Sequence, residues 1–154
     1  MFLRCNNNSI EKKKLNHLIK NGYFKFGLKK KFFLSNLKIL KEIVKKKTKK
    51  NYNFENFHKN YDVKNLNDLR LNIFKEINRN KYFKDNLYNS SKENIEICVG
   101  NELCTSDINL SIQYPGDTSS LLDMHTDFFS GESLFQVNLW IPFVNVKKTQ
   151  SMFI

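Results

Sequence analysis

The chain has 154 residues, 40% of them hydrophobic, which is enough for one domain with a core and too few for two. Its 26 Lys and Arg residues outnumber its 15 Asp and Glu residues and give a formal net charge of +11. No stretch approaches the roughly 20 apolar residues that span a bilayer, and no apolar run of signal-peptide length follows Met1. We therefore expect a cytoplasmic protein with no membrane association, in which the three cysteines stay reduced.

The positive charge is unevenly distributed along the chain. Residues 1–90 hold 23 basic and 7 acidic side chains, a net +16, whereas residues 91–154 hold 3 and 8, a net −5. A basic region of this kind is typical of nucleic-acid or polyanion binding. However, the sequence has no Ala and only three Arg, while Lys and Asn are abundant. Drift of base composition toward A and T produces the same pattern, so we favour drift and do not expect a nucleic-acid partner.

Apolar spacing in the N-terminal part predicts four helices. The first covers residues 10–20 and stops before Gly22, and the second covers residues 36–47. The third begins near Asn65, which we expect to act as its N-cap. The aromatic-rich stretch 82–88 predicts a further short helix that packs on the third.

From residue 95 onward, apolar residues recur with the period of two that is typical of strands. The sequence therefore predicts an α+β fold, in which N-terminal helices precede a β-rich part. The basic helical region, residues 1–90, is expected to pack on residues 91–154 to form one domain. The predicted strands cover residues 95–99, 108–114 and 134–141, with a further strand beginning at 151–154.

Between two of these alternating stretches lies His125-Thr126-Asp127. In an extended strand, residues i and i+2 point to the same face, so His125 and Asp127 would present an imidazole and a carboxylate to one point. Such a pair is two-thirds of the facial triad of non-haem Fe(II) oxygenases. His17 and His58 lie in Lys- and Asn-rich segments and are interpreted as surface histidines. A His-x-Asp pair is a weak signal by itself.

Several motifs in order carry a family resemblance. The chain resembles the Fe(II)/2-oxoglutarate oxygenases of sporadic carbohydrate-biosynthesis clusters. These are related to a streptomycin-biosynthesis protein and, more distantly, to the phytanoyl-CoA dioxygenases. The resemblance covers most of residues 60–154. The residues that carry it are Asn67 to Leu71, Asn101-Glu102, Asn109 to Asp117, His125 to Ser133, Val137 to Phe143 and Ser151-Met152.

The resemblance implies part of a double-stranded β-helix, a jelly-roll or cupin-like fold, with His125 and Asp127 as iron ligands and 2-oxoglutarate as cosubstrate. Gln113, Asn138 and Trp140 would contact the cosubstrate or the substrate. That substrate would be a small molecule or nucleotide-linked sugar in carbohydrate or surface-polysaccharide biosynthesis. The family also uses a distal His and an Arg that pairs with 2-oxoglutarate, and neither follows His125 here. The chain thus resembles an N-terminal portion, and we expect weak Fe(II) binding without turnover.

Two other functions remain open on the sequence. The first is a basic nucleic-acid or polyanion-binding protein, in which Tyr52, Phe54 and Phe57 lie among lysines. The second is a carbohydrate-binding β-domain without catalysis. Salt-dependent binding of polyanions would support the first, and metal-independent binding of sugars would support the second.

Overall fold

The computed structural model describes residues 9–100, 105, 107–118, 131, 133 and 136–147. Over these ranges the protein forms five α-helices and two single 3-10 turns, Phe54–Asn56 and Val63–Asn65. The helices are α1 (Ser9–Asn21), α2 (Lys30–Thr48), α3 (Phe57–Asn60), α4 (Leu66–Arg79) and α5 (Lys81–Val99).

The core lies where α2, α4 and α5 pack against one another in pairs. On α4, buried side chains recur at intervals of three and four residues, which places them on one face of the helix. Phe83, near the start of α5, is 1% exposed and fills the space between the three helices. The buried apolar residues are Leu40 and Val44 of α2, Phe57 of α3, Leu66, Leu69, Ile73 and Ile77 of α4, and Phe83 of α5.

The ends of these helices have identifiable stop and start signals. The side chain of Asn80 accepts a hydrogen bond from the Phe83 N–H at 3.0 Å and so caps α5. Gly22 follows α1 with φ of 77°, and its N–H donates to the Leu18 carbonyl at 2.8 Å. α1 lies on α5 and has no buried residue of its own.

A buried polar pair joins α2 to α5. Asn36 is 0% exposed, and its Nδ2 donates to the Phe83 carbonyl at 2.9 Å. Its Oδ1 accepts from Nδ2 of Asn86 at 3.0 Å. Buried amides are tolerated in a core when their hydrogen bonds are made, so this pair fixes the register of α2 against α5.

The predicted helices over 10–20 and 36–47 are confirmed, although α2 begins earlier, at Lys30. The third predicted helix corresponds to α4, but Asn65 makes no side-chain cap bond there. The short helix predicted over 82–88 is instead the 19-residue α5.

The α+β prediction is wrong for the part of the chain that the structure describes, because no β-strand occurs there. Residues 95–99 continue α5 instead of forming a strand. Five residues are too few to separate a period of two from a helical period, and Cys98 within them is buried as the last turn of α5 requires. Residues 108–114 and 136–141 pair with no strand. The described residues therefore do not form a jelly roll. The strand predicted to begin at 151–154 lies outside the described residues.

Residues 107–118 nevertheless run along the helices with alternating side chains. Ile108, Leu110, Ile112 and Tyr114 are half-buried against the helical core. The intervening polar residues, Asn109, Ser111 and Gln113, are exposed. The alternation thus predicted one apolar and one polar face. The polar face, with Gln113, was expected to meet a ligand pocket inside a sheet, whereas here the apolar face packs on helices and the polar face is exposed.

Among the described residues, no helix is both long enough and apolar enough to cross a membrane.

Candidate functional site

The residues predicted from the sequence to form a site are only partly described. His125 and Asp127 lie outside the described residues. Gln113, Asn138 and Trp140 are described, and all three are exposed at the surface. None of the three lines either of the two clefts described below. Their assignment as cosubstrate or substrate contacts stays a prediction.

Residues 136–140 form an extended stretch with an exposed apolar character. Val137 is 43% exposed and Trp140 is 46% exposed, although they point to opposite faces of an extended chain. The Nε2 of Gln136 donates to Oδ1 of Asn138 at 3.0 Å, as residues on one face of an extended segment do. This stretch therefore offers both faces to solvent.

The residues that follow this stretch bind it to the helical part. The Phe143 ring stacks on Phe33 of α2 with centroids 5.3 Å apart and an interplanar angle of 11°. The backbone N–H and side-chain Nδ2 of Asn145 donate to Oε1 of Glu55 at 2.8 and 2.9 Å. The Phe143 ring also lies 6.4 Å from that of Phe83, so this part of the chain is attached to the helices by aromatic contacts and by the Glu55 carboxylate.

The first cleft has a volume of about 230 Å³ and lies between α4 and the extended segment 107–118. Its walls combine apolar side chains with one guanidinium, that of Arg70. Nη2 of Arg70 donates to Oδ1 of Asn67 at 2.8 Å. A guanidinium carries five N–H donors in a planar fork, a geometry that suits a carboxylate. The lining residues are Arg70, Leu71, Phe74, Asn109 and Leu110.

The second cleft has a volume of about 450 Å³ and is strongly basic. It lies between α1 and the segment that follows this helix. Its lining combines three lysines, one histidine and two aromatic side chains, with no acidic residue among them. We refer to it as the basic cleft, lined by Lys13, Lys14, His17, Tyr23, Phe24 and Lys25.

Two tyrosines beside the extended segment have raised pKa values. Burial, together with Tyr61, Tyr52 and Asp62 nearby, raises the pKa of Tyr114 to about 12. Burial also raises the pKa of Tyr61. The Tyr114 hydroxyl donates to the Tyr61 carbonyl at 3.1 Å. Both phenols therefore stay protonated near neutral pH and act as structural donors.

Cys98 does not have the properties of a reactive thiol. It is buried near the end of α5, and burial raises the pKa of its thiol. Its Sγ lies 3.4 Å from the Asn94 carbonyl, to which it donates. Because the thiolate is the nucleophile, a raised pKa makes this cysteine inert at neutral pH.

Within the described ranges, no group of three or more His, Cys, Asp and Glu side chains converges to hold a metal ion. The His17 ring meets Tyr23 edge-on at 5.6 Å, and the His58 ring lies 6.4 Å from that of Tyr114. The described residues therefore give no support to the expected iron site.

Neither cleft was predicted from the sequence. The signal for the basic cleft was present, because Lys13 and His17 are four residues apart on a predicted helix and so share a face. Tyr23 and Lys25 follow directly after the Gly22 stop. The segment after α1 folds back toward the helix, and no periodicity in the sequence specifies that return.

Comparison with protein-family models, curated proteins and solved structures found no match for this chain. The family resemblance therefore depends on the motifs described above, and function has to be argued from the residues.

Proposed function

We propose that this chain contributes the metal-binding part of an Fe(II)/2-oxoglutarate-dependent oxygenase acting on a small molecule, such as a sugar or nucleotide-linked sugar. The observation that carries the proposal is His125-Thr126-Asp127, placed between two alternating segments in the order in which the resembled family has them. An imidazole and a carboxylate two residues apart are the first two ligands of a facial triad.

The described residues before this motif are compatible with a ligand site. Residues 107–114 are held against the helices and expose Asn109, Ser111 and Gln113 on one face. Asn109 also lines the cleft that contains Arg70. A polar face beside a guanidinium favours ligands that carry a carboxylate. This arrangement supports a site for a small organic acid in that cleft.

In this proposal, each protein group has a limited role. When bound, iron with 2-oxoglutarate and O2 supplies the oxidising chemistry, which belongs to the cofactor. His125 and Asp127 would hold the metal. Gln113, Asn138 and Trp140 would orient the cosubstrate or the substrate by hydrogen bonds and contact area. Two protein ligands hold a metal with less preorganisation than three, so we expect the chain to bind metal weakly and to lack turnover by itself.

The proposal is tested by metal binding instead of activity. Titration of the full chain with Co(II), a redox-stable substitute for Fe(II), is followed by visible absorption under anaerobic conditions. We expect His125→Ala and Asp127→Ala each to weaken binding by about tenfold or more. His17→Ala and His58→Ala are matched controls, which remove a histidine elsewhere and should leave the affinity unchanged.

Two results would overturn the proposal. One is a Co(II) affinity that is unchanged in His125→Ala, and the other is an equal loss in all three histidine variants, which would indicate adventitious binding. Addition of 2-oxoglutarate should change the Co(II) spectrum of the wild-type chain, and no change would remove the cosubstrate from the proposal.

A further inference from the structure

We propose that the basic cleft binds a nucleotide, that is, a phosphate anion attached to a planar aromatic base. This site goes beyond the proposed oxygenase function and does not depend on it, because no residue of the cleft belongs to the proposed metal site. The cleft is shallow and open to solvent, and its volume of about 450 Å³ is large enough for a small molecule that stays partly exposed.

The backbone explains why these side chains meet. Lys13 and His17 lie one turn apart on α1, so they share one face of that helix. α1 ends at Asn21, and Gly22 has a φ of 77°, a left-handed conformation that lets the chain reverse. The residues after Gly22 therefore return alongside the last turns of α1 and close the second wall of the cleft.

The electrostatics of the cleft favour an anion. Lys14 is half-buried, and its Nζ donates to Oδ1 of Asn94 at 2.7 Å. This bond holds the ammonium group in place and uses one of its three N–H donors, so two donors are left for a ligand. Two carboxylates lie near the lining: Glu11, one turn before Lys14 on α1, and Glu93 of α5, which pairs with Lys29 at 2.7 Å. Neither of them lines the cleft. Lys29 and Lys14 lower the pKa of Glu93. The lining itself contains cations and no carboxylate.

The aromatic residues distinguish this cleft from the other lysine clusters of the chain. Tyr23 is 37% exposed and contacts His17 edge-on, so its ring is held in place while part of it faces solvent. Phe24 is half-buried and packs on Phe26 with centroids 5.5 Å apart. Aromatic rings offer stacking surfaces to bases, and lysines neutralise the attached phosphates. This combination predicts a ligand with both features.

The lysine run of α2 provides an internal comparison. Lys45 and Lys46 are exposed in the last turn of α2, and neither lines the basic cleft. A double substitution at these positions removes the same charge as one at Lys13 and Lys25. Any difference between the two double variants therefore reports position and not net charge.

The test is a titration of the full chain with fluorescent adenosine diphosphate, followed by anisotropy at about 0.15 M salt, where surface charge is screened beyond about 8 Å. Displacement by unlabelled ADP and UDP measures binding without the dye. We expect Lys13→Gln/Lys25→Gln to weaken binding by about tenfold or more and Lys45→Gln/Lys46→Gln to change it by less than about twofold. Circular dichroism verifies that each variant remains helical.

A second variant tests the aromatic part. Tyr23→Leu should weaken the binding of ADP and leave the binding of inorganic pyrophosphate unchanged, because only ADP has a base to stack. Equal loss in both lysine double variants would overturn the proposal and indicate nonspecific attraction to a chain of charge +11. Displacement by single-stranded RNA at far lower concentration than by ADP would also overturn it, in favour of a nucleic-acid surface.

His125→Ala separates this proposal from the oxygenase. We expect this variant to bind ADP as the wild-type chain does, even where it loses Co(II). Loss of ADP binding in His125→Ala would overturn the assignment of the nucleotide to the basic cleft.

Discussion

The side-chain amide of Asn78 on α4 binds both backbone groups of Ile108. Nδ2 of Asn78 donates to the Ile108 carbonyl at 3.0 Å, and the Ile108 N–H donates to Oδ1 at 2.8 Å. A neighbouring strand would offer the same donor and acceptor pair. A helix side chain thus takes the place of a strand at the point where the extended segment 107–118 begins.

This relationship makes Asn78 a stabilising residue for the docked segment. Asn78→Ala would leave a half-buried N–H and C=O of Ile108 without these partners, at a cost of about 1–3 kcal/mol in the free energy of unfolding. Urea denaturation of the full chain measures that cost. Asn72→Ala on the same helix is the control, because Asn72 is exposed and its Nδ2 donates locally, to the Asp68 carbonyl of α4. Equal stability of the two variants would show that Asn78 does not hold the segment.

The Asn36 and Asn86 pair gives a second prediction about stability. Asn36→Ala would remove one of the two acceptors of Nδ2 of Asn86, which also donates to Oγ of Ser35 at 3.3 Å. It would also remove the side-chain donor to the Phe83 carbonyl. We therefore expect a loss of about 1–3 kcal/mol in the free energy of unfolding. Asn89→Ala, an exposed position on α5, is the matched control and should change stability by less than about 0.5 kcal/mol. A small effect of Asn36→Ala would mean that water reaches this part of the core.

The raised pKa of Tyr114 predicts how stability depends on alkaline pH. The ordinary tyrosine pKa is about 10, whereas that of Tyr114 in the folded chain is about 12. Between these values the unfolded chain releases the phenolic proton and the folded chain keeps it. The unfolded state then binds fewer protons, so stability falls as pH rises from about 10 to about 12.

Tyr114→Phe has no phenol to titrate and should show a shallower fall over the same pH window. Its stability at pH 7 should be lower by about 1 kcal/mol, because the hydrogen bond to the Tyr61 carbonyl is lost. Thermal unfolding followed by circular dichroism at several pH values measures both effects. Identical pH profiles for the variant and the wild-type chain would show that Tyr114 titrates at its ordinary pKa.

These residues also show what the sequence could predict. The spacing of Leu66, Leu69, Ile73 and Ile77 predicts α4 because four apolar positions agree on one helical face. The alternation over 108–114 predicts which side chains share a face, since side-chain direction depends only on an extended backbone, but it does not determine which face packs on the core. The alternation also does not determine which groups bond to the backbone of this segment. At Ile108 the partner is the side chain of Asn78. Partners distant in sequence leave no periodic signal.

The same reason applies to the predicted site. The direction of Gln113 follows from local alternation, and the structure shows it exposed. Whether a polar face meets water or encloses a ligand depends on which part of the chain lies opposite it. The alternation of residues along one segment carries no information about that opposite part. Arg70 and Asn109 meet in one cleft although 39 positions separate them in the sequence, and no motif in the sequence pairs them.

Trp140 gives the most direct test of how residues 136–141 are arranged. It is the single tryptophan of the chain, and it is 46% exposed. Because nearly half of it faces solvent, we expect its fluorescence emission to be that of a hydrated indole, and acrylamide to quench it clearly but less efficiently than it quenches N-acetyltryptophanamide. A strand buried within a sheet sandwich would shield the indole and give a blue-shifted emission with weak quenching. Phe143→Ala should increase the quenching further, since the stack on Phe33 attaches this segment to α2. A shielded Trp140 in the folded wild-type chain would contradict the exposed arrangement of residues 136–141.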